Sequence, residues 1–252
     1  MKYDWHPMDL DHTRLMSEAL RAAPRDIVFT ISNTGFVKDA PGYVQYTHFW
    51  RTGGDNLDVW RKVDHVFDTA DEWAAFAEPG HWNDPDMLLV GTLAWGNEKA
   101  ARPTRLTPNE QYAHLSFLCL GANPLLLSCD MEKLDAFTLN LLTNDEVLEV
   151  NQDPLGKAAR RIAKDGDREV SAKPMEDGSW AVGLFNRGRV PATVTLRWSD
   201  VKLDGERRVR DLWRQQDVGT FDKTFAAEVP RHGVRLIRLF PTVGKPGRAN
   251  FH

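Results

Sequence analysis

Ile27-Val28-Phe29-Thr30-Ile31-Ser32-Asn33-Thr34-Gly35 is a run of β-branched and aromatic residues that stops in a turn-rich loop. That is the pattern of a buried strand punctuated at its far end by small polar residues. Outward from it the chain alternates. Leu10, Leu15, Met16 and Leu20 recur near helical spacing over 9–23, and Pro24 stops that helix. A short helical stretch around 43–48 leads into a strand at Phe49-Trp50-Arg51, and helical periodicity returns over 56–75. Asp86–Val90 reads as the next strand. Thr107-Pro108-Asn109-Glu110 opens a helix over 107–121, with a capping threonine, proline at the first position and an acid near the third. Leu125–Leu127 is a strand and 132–150 is helical. Strand alternating with helix over this length means βα units around a parallel sheet.

The pattern changes at Asn151-Gln152-Asp153-Pro154-Leu155-Gly156. Beyond it come short alternating strands at Glu169–Lys173, Trp180–Asn186, Ala192–Trp198, Arg207–Asp211, Thr224–Val229 and Gly233–Phe240, with turns such as Asp177-Gly178 and Asp204-Gly205 between them. Strand spacing of this kind predicts an antiparallel β-sandwich. The division is a βα portion over 1–157, a sandwich over 158–242 and a loose tail over 243–252.

Composition narrows the function classes. With 252 residues the chain makes one large domain or two modest ones, and its net charge of −4 excludes a nucleic-acid binder held by a basic surface. No apolar run is long enough to cross a membrane, and Met1-Lys2-Tyr3-Asp4-Trp5 carries no signal-peptide core. Cys119 and Cys129 read as small buried hydrophobes. The histidines form no HxxxH or HxH pair and no CxxC occurs, so neither a metal site nor a cofactor is expected. Arg207, Arg208, Arg210 and Arg214 read as a solvated face. Trp50, Trp60, Trp73 and Trp82 read as core packing, whereas Trp5, next to Asp4, is a candidate to face a ligand.

In parallel βα folds the chemistry sits at the C-terminal ends of strands. That rule selects Asp4, Ser32–Gly35, Arg51 with Asp55, and the acids Asp84 and Asp86. Asp4 and Asp55, from different strands, are a candidate carboxylate pair. Such a pair supports glycoside hydrolysis with retention at about 5–5.5 Å separation, or with inversion at about 6.5–9.5 Å. Lys2 beside Asp4 and Arg51 beside Asp55 are placed to bind hydroxyls and tune charge. An isolated aspartate at a strand end is usually a helix cap or a solvated loop acid.

Five segments carry a resemblance in order along the chain: Lys2-Tyr3-Asp4-Trp5, Trp50-Arg51-Thr52-Gly53-Gly54-Asp55, Asn83-Asp84-Pro85-Asp86-Met87-Leu88, Asn123–Asp130 and Asn144–Gly156. Together they resemble glycoside hydrolase family 27, the α-galactosidase and α-N-acetylgalactosaminidase family. Arg210-Asp211-Leu212-Trp213 and His232-Gly233-Val234 are similar to its C-terminal sandwich. The resemblance implies a (β/α)8 barrel followed by an antiparallel β domain. It also implies release of terminal α-linked galactose from saccharides by double displacement without a metal. Asp4 would be the nucleophile and Asp55 the general acid and then base. Lys2 would bind sugar hydroxyls, Arg51 and Ser32 would lie towards the 2-substituent, and Trp5, Asp86 and Met87 would line the pocket.

There are three departures. His6 stands where the family usually has cysteine. Ser32-Asn33-Thr34-Gly35-Phe36 replaces its usual Cys-Glu-Trp loop, which leaves α-N-acetylgalactosaminides and β-L-arabinopyranosides as alternative substrates. Lys2–Asp4 corresponds to the family's fourth barrel strand, so the expectation is strands four to eight of the barrel, from a longer protein. Family members are often exported, so a secreted or periplasmic full-length protein is expected. If the chain is the whole product, a non-catalytic remnant is the alternative.

Overall fold

The computed structural model describes residues 1–4, 9–32, 36–94 and 100–242. Its first half runs β1 (Lys2–Tyr3), α1 (Leu10–Arg21), β2 (Thr30–Ile31), α2 (Ala40–Tyr46), β3 (Phe49–Arg51), α3 (Trp60–Trp73) and β4 (Trp82–Asp84). The strands are parallel neighbours in the order β1-β2-β3-β4, with Tyr3, Ile31, Trp50 and Asn83 in one row. Side chains alternate across a sheet. Tyr3, Phe29, Ile31 and Trp50 turn outwards and pack on Leu10, Met16 and Leu20 of α1 and Ala40 and Tyr43 of α2. The following row of Asp4, Ser32, Arg51 and Asp84 therefore shares the opposite face at the strands' C-terminal ends.

The strand expected at Asp86–Val90 lies elsewhere. The ladder is Trp82–Asp84, because Pro85 has no N–H to donate and Asp86 sits at φ +86°, which ends the pleat. Leu88 then forms one parallel bridge with Leu127, so the segments expected as strands at Asp86–Val90 and Leu125–Leu127 meet at a single bridge rather than along a ladder. The helix expected from Asn56 begins only at Trp60, since Asn56 and Asp58 are drawn into tertiary contacts. A hairpin, β5 (Thr92–Leu93) with β6 (Arg102–Pro103), follows. The helix expected over 132–150 is broken into α5 (Ala136–Leu142) and α6 (Asp145–Asn151), because Asp135 and Asn144 each accept a backbone N–H and cap a new helix.

The α4 helix (Pro108–Leu120) opens with the expected cap, a full capping box between Thr107 and Glu110. It is buried on most faces because it lies between the barrel and the sandwich. The sandwich comprises β7 (Arg160–Asp165), β8 (Arg168–Pro174), β9 (Trp180–Asn186), β10 (Ala192–Arg197), β11 (Arg207–Asp211), β12 (Gln216–Phe221), β13 (Thr224–Val229) and β14 (Gly233–Pro241). One antiparallel sheet has the order β12-β11-β14-β9-β8-β7, and the β10–β13 pair forms the second layer. Val182, Leu184, Ile237 and Leu239 face Val194, Leu196 and Phe225 across the sandwich core. Ala181, Phe185 and Leu236, on the sheet's other face, pack with Leu115 and Leu118 of α4. Gly183 permits this approach, as a Cβ there would lie 2.6 Å from Leu120. The architecture is thus a partial α/β barrel carrying an antiparallel sandwich.

Two edge strands, β7 and β12, have no counterpart in the sequence reading, and nearly every residue of β12 is exposed. Arg210 corrects the solvated-face reading: it forms a two-pronged bond to Glu146 of α6 at 2.7 and 2.5 Å. Cys119 and Cys129 are both free.

Lys173 is the one buried ammonium whose Nζ lacks a hydrogen-bond partner among the described residues; it is 1% exposed. Val170 and Ala172 point into the sandwich, so Lys173 points towards the barrel, where burial pushes its pKa down to about 8. Below pH 8 the fold holds a charge that the unfolded chain keeps in water. Between about pH 8 and the ordinary lysine value the unfolded chain binds more protons, so stability rises with pH in this window. Lys173→Met is therefore expected to stabilise the protein by about 3 kcal/mol at pH 7. The gain should shrink towards zero by about pH 10.5, as read by urea denaturation at both pH values.

Candidate active site

The row at the barrel rim collects most of the charge chemistry. Lys2 Nζ lies 3.2 Å from Asp4, whose side chain is 37% exposed. On the neighbouring strand end Ser32 is buried, its N–H bonded to Tyr3 O at 2.9 Å. Arg51 is buried and bridges two acids, Asp55 at 3.2 Å and Asp86 at 3.0 Å. Asp55 is 81% exposed at the crest of the loop that follows β3. Asp86 also accepts the Asn56 N–H at 2.7 Å and donates its own N–H to Asp84 at 2.9 Å.

The left-handed backbone of Asp86 is uncommon outside glycine. Its three partners hold it there and turn its carboxylate back onto Arg51. Asp84 is buried, and desolvation, with the Asp86 charge adding to it, pushes its carboxyl above the ordinary range. The Asp86 N–H and the Arg51 and Lys2 charges oppose that push. Two cations thus sit among four carboxylates, one well exposed, one part-exposed and two buried. Such a rim offers exposed acids backed by fixed positive charge.

The sequence-selected residues Lys2, Asp4, Ser32, Arg51, Asp55 and Asp86 converge on this rim. Met87 follows Asp86 and is half-buried. Trp5, His6 and Asn33–Gly35 lie outside the described residues. Asn56 and Asp58, which anchor the Asp55 loop, were not selected. The signal for them was two further polar residues between Asp55 and the first apolar turn of α3, in a stretch too short for helical periodicity to decide.

The model of the α-galactosidase A family matches residues 3–153, and that of the α-galactosidase C-terminal β-sandwich domain matches residues 165–239. The chain belongs to glycoside hydrolase family 27. Among family 27 relatives, alpha-galactosidase 2 of Arabidopsis thaliana is 37% identical over 226 residues, covering 89% of this chain and 54% of that protein. The crystal structure of a family 27 β-L-arabinopyranosidase from Geobacillus stearothermophilus superposes with a TM-score of 0.92 at 27% identity, over 97% of this chain and 58% of that one. Alpha-galactosidase I from Mortierella vinacea gives a TM-score of 0.82 at 26% identity, over 91% and 62%. The chain spans about half the length of the curated relatives it matches.

Proposed function

We propose that the chain carries the catalytic rim of a retaining glycosidase that releases terminal α-linked galactose. The observation that supports this best is the alignment of Asp4 and Arg51 on one face of a parallel sheet, with Asp55 held by Arg51 at 3.2 Å. In the first step an Asp4 carboxylate oxygen attacks the anomeric carbon. The bond from that carbon to the aglycone oxygen breaks, and Asp55 gives its proton to the leaving oxygen. In the second step Asp55, now a carboxylate, takes a proton from water. The water oxygen bonds to the anomeric carbon and displaces Asp4. Lys2, 3.2 Å from Asp4, is placed to donate to sugar hydroxyls, and Arg51 fixes Asp55 and Asp86 with one guanidinium. Saccharides with terminal α-galactosyl groups are the substrates of this reading.

A second substrate is favoured by one observation, the TM-score of 0.92 with the β-L-arabinopyranosidase against 0.82 with the fungal α-galactosidase. β-L-arabinopyranose has the galactose ring stereochemistry without the C6 hydroxymethyl, so the same rim serves both. Hydrolysis of the nitrophenyl α-galactoside, α-N-acetylgalactosaminide and β-L-arabinopyranoside by the intact protein separates these readings. This reading expects the galactoside or the arabinoside to show the highest kcat/KM, and fastest turnover of the acetamido sugar would reassign the substrate. Turnover of none of the three by the intact protein contradicts the glycosidase reading.

A further inference from the structure

The loop that carries Asp55 begins in open space and ends clamped. A Cβ on Gly53 or Gly54 would meet nothing within 4 Å, and Asp55 is 81% exposed. Beyond Asp55 the next polar residues turn inwards. Asn56 is buried, giving its N–H to Asp86 Oδ2 at 2.7 Å and its side-chain amide to Pro85 O at 2.9 Å. Asp58 is 1% exposed.

Asp58 takes both prongs of Arg102 at 2.5 and 3.2 Å, the backbone N–H of Arg105 at 2.8 Å and the Arg105 guanidinium at 3.4 Å. Burial pushes the Asp58 carboxyl up, but those hydrogen bonds and charges outweigh it and hold the group below the ordinary range. An aspartate in this place would ordinarily cap α3. Here the N-cap is Val59, with no side-chain bond, and Asp58 is spent instead on Arg102 of β6 and on Arg105 just beyond it.

An exposed acid on a glycine-led loop protonates a leaving group efficiently only if the loop returns to one place, because proton transfer needs hydrogen-bond reach. A displacement of about 1 Å costs on the order of 100-fold in rate. We propose that Asp58 is a positioning residue for Asp55. With Arg102 and Arg105 it pins the C-terminal side of the loop, so that Asn56 stays on Asp86 and Asp55 projects from a fixed base. This rests on Asp55 being the acid/base of the proposed glycosidase.

The test uses Asp58→Asn and, from the other side of the clamp, Arg102→Gln, in two measurements. Amide hydrogen exchange reads the clamp without turnover. In both variants the Arg105 and Asn56 N–H groups are expected to lose at least ~10-fold protection, while α4 amides keep theirs and so report an intact fold. Asn56 protection unchanged in both variants overturns the proposal. Kinetics reads the acid. With methyl α-galactoside, whose leaving alcohol needs a proton, kcat/KM is expected to fall ~100-fold. With 2,4-dinitrophenyl α-galactoside, whose leaving group does not, kcat/KM, which reads the first step alone, should stay within a few-fold. Equal loss on both substrates assigns Asp58 a merely structural role and overturns the proposal. If the unaltered intact protein hydrolyses neither, the glycosidase reading fails, and the exchange result still decides whether Asp58 fixes the loop.

Discussion

Asp4→Gly in the intact protein is expected to lower hydrolysis of a nitrophenyl α-galactoside by on the order of 10⁴-fold or more, because loss of a covalent nucleophile removes the reaction's first bond-forming partner. The variant should fold normally. Asp4 follows β1 at the rim, its side chain is part-exposed, and Lys2, its ion-pair partner, is itself about half exposed, so the pair contributes little to stability. Azide, small enough to enter the space left by the carboxymethyl group, is expected to restore part of the turnover. Undiminished activity in Asp4→Gly would remove the nucleophile from Asp4 and with it the reading of the rim.

The largest expected effect on stability is at Arg187. This residue, in the turn after β9, bonds Asp64 at 2.5 Å and Asp68 at 2.8 Å on α3 of the barrel, and Glu169 at 2.8 Å on β8. Its guanidinium also lies 5.4 Å from the centre of the Phe67 ring. Glu169 is buried, with Arg161 at 3.4 Å and Lys164 at 2.7 Å as further partners. Arg187→Met leaves several acids at the domain junction with one cation fewer. Removing one partner of a buried charge cluster costs about 3–5 kcal/mol, and urea denaturation of the variant is expected to show a loss of that size. Arg187→Lys keeps the charge but not the planar fork, so it should recover only part. A loss below about 1 kcal/mol would place Arg187 among ordinary surface ion pairs.

The sandwich and the βα order were legible where one face of an element is apolar. Val194 and Leu196 of β10 alternate with Thr193, Thr195 and Arg197, and α1 repeats at helical spacing. Legibility failed where that signal is absent. The edge strand β12 buries almost nothing, so nothing in Gln216–Phe221 alternates. It failed differently at Asp86–Val90, an apolar run that reads as a strand but follows a proline and a left-handed aspartate, so that the ladder falls on Trp82–Asp84 instead. α4 was placed by its cap rather than by its faces, since it is buried on most sides between two domains, with the polar Glu110, Gln111, His114 and Ser116 among its buried residues.

At the rim, Asp4, Arg51 and Asp55 were legible from their position at strand ends. The grip of Arg51 on Asp86 and the clamp on Asp58 were not. Each joins residues far apart in sequence, Asp58 to Arg102 across 44 positions, and local pattern carries no record of such pairs.

In the proposed mechanism Asp4 attacks the anomeric carbon from the face opposite the departing group. The most direct measurement is the anomeric configuration, by proton NMR, of the galactosyl azide formed when Asp4→Gly turns over a nitrophenyl α-galactoside in azide. With Asp4 as nucleophile, azide enters from the vacated face and the product is the β-galactosyl azide. An α-galactosyl azide, or restored turnover with no azide adduct, would contradict it.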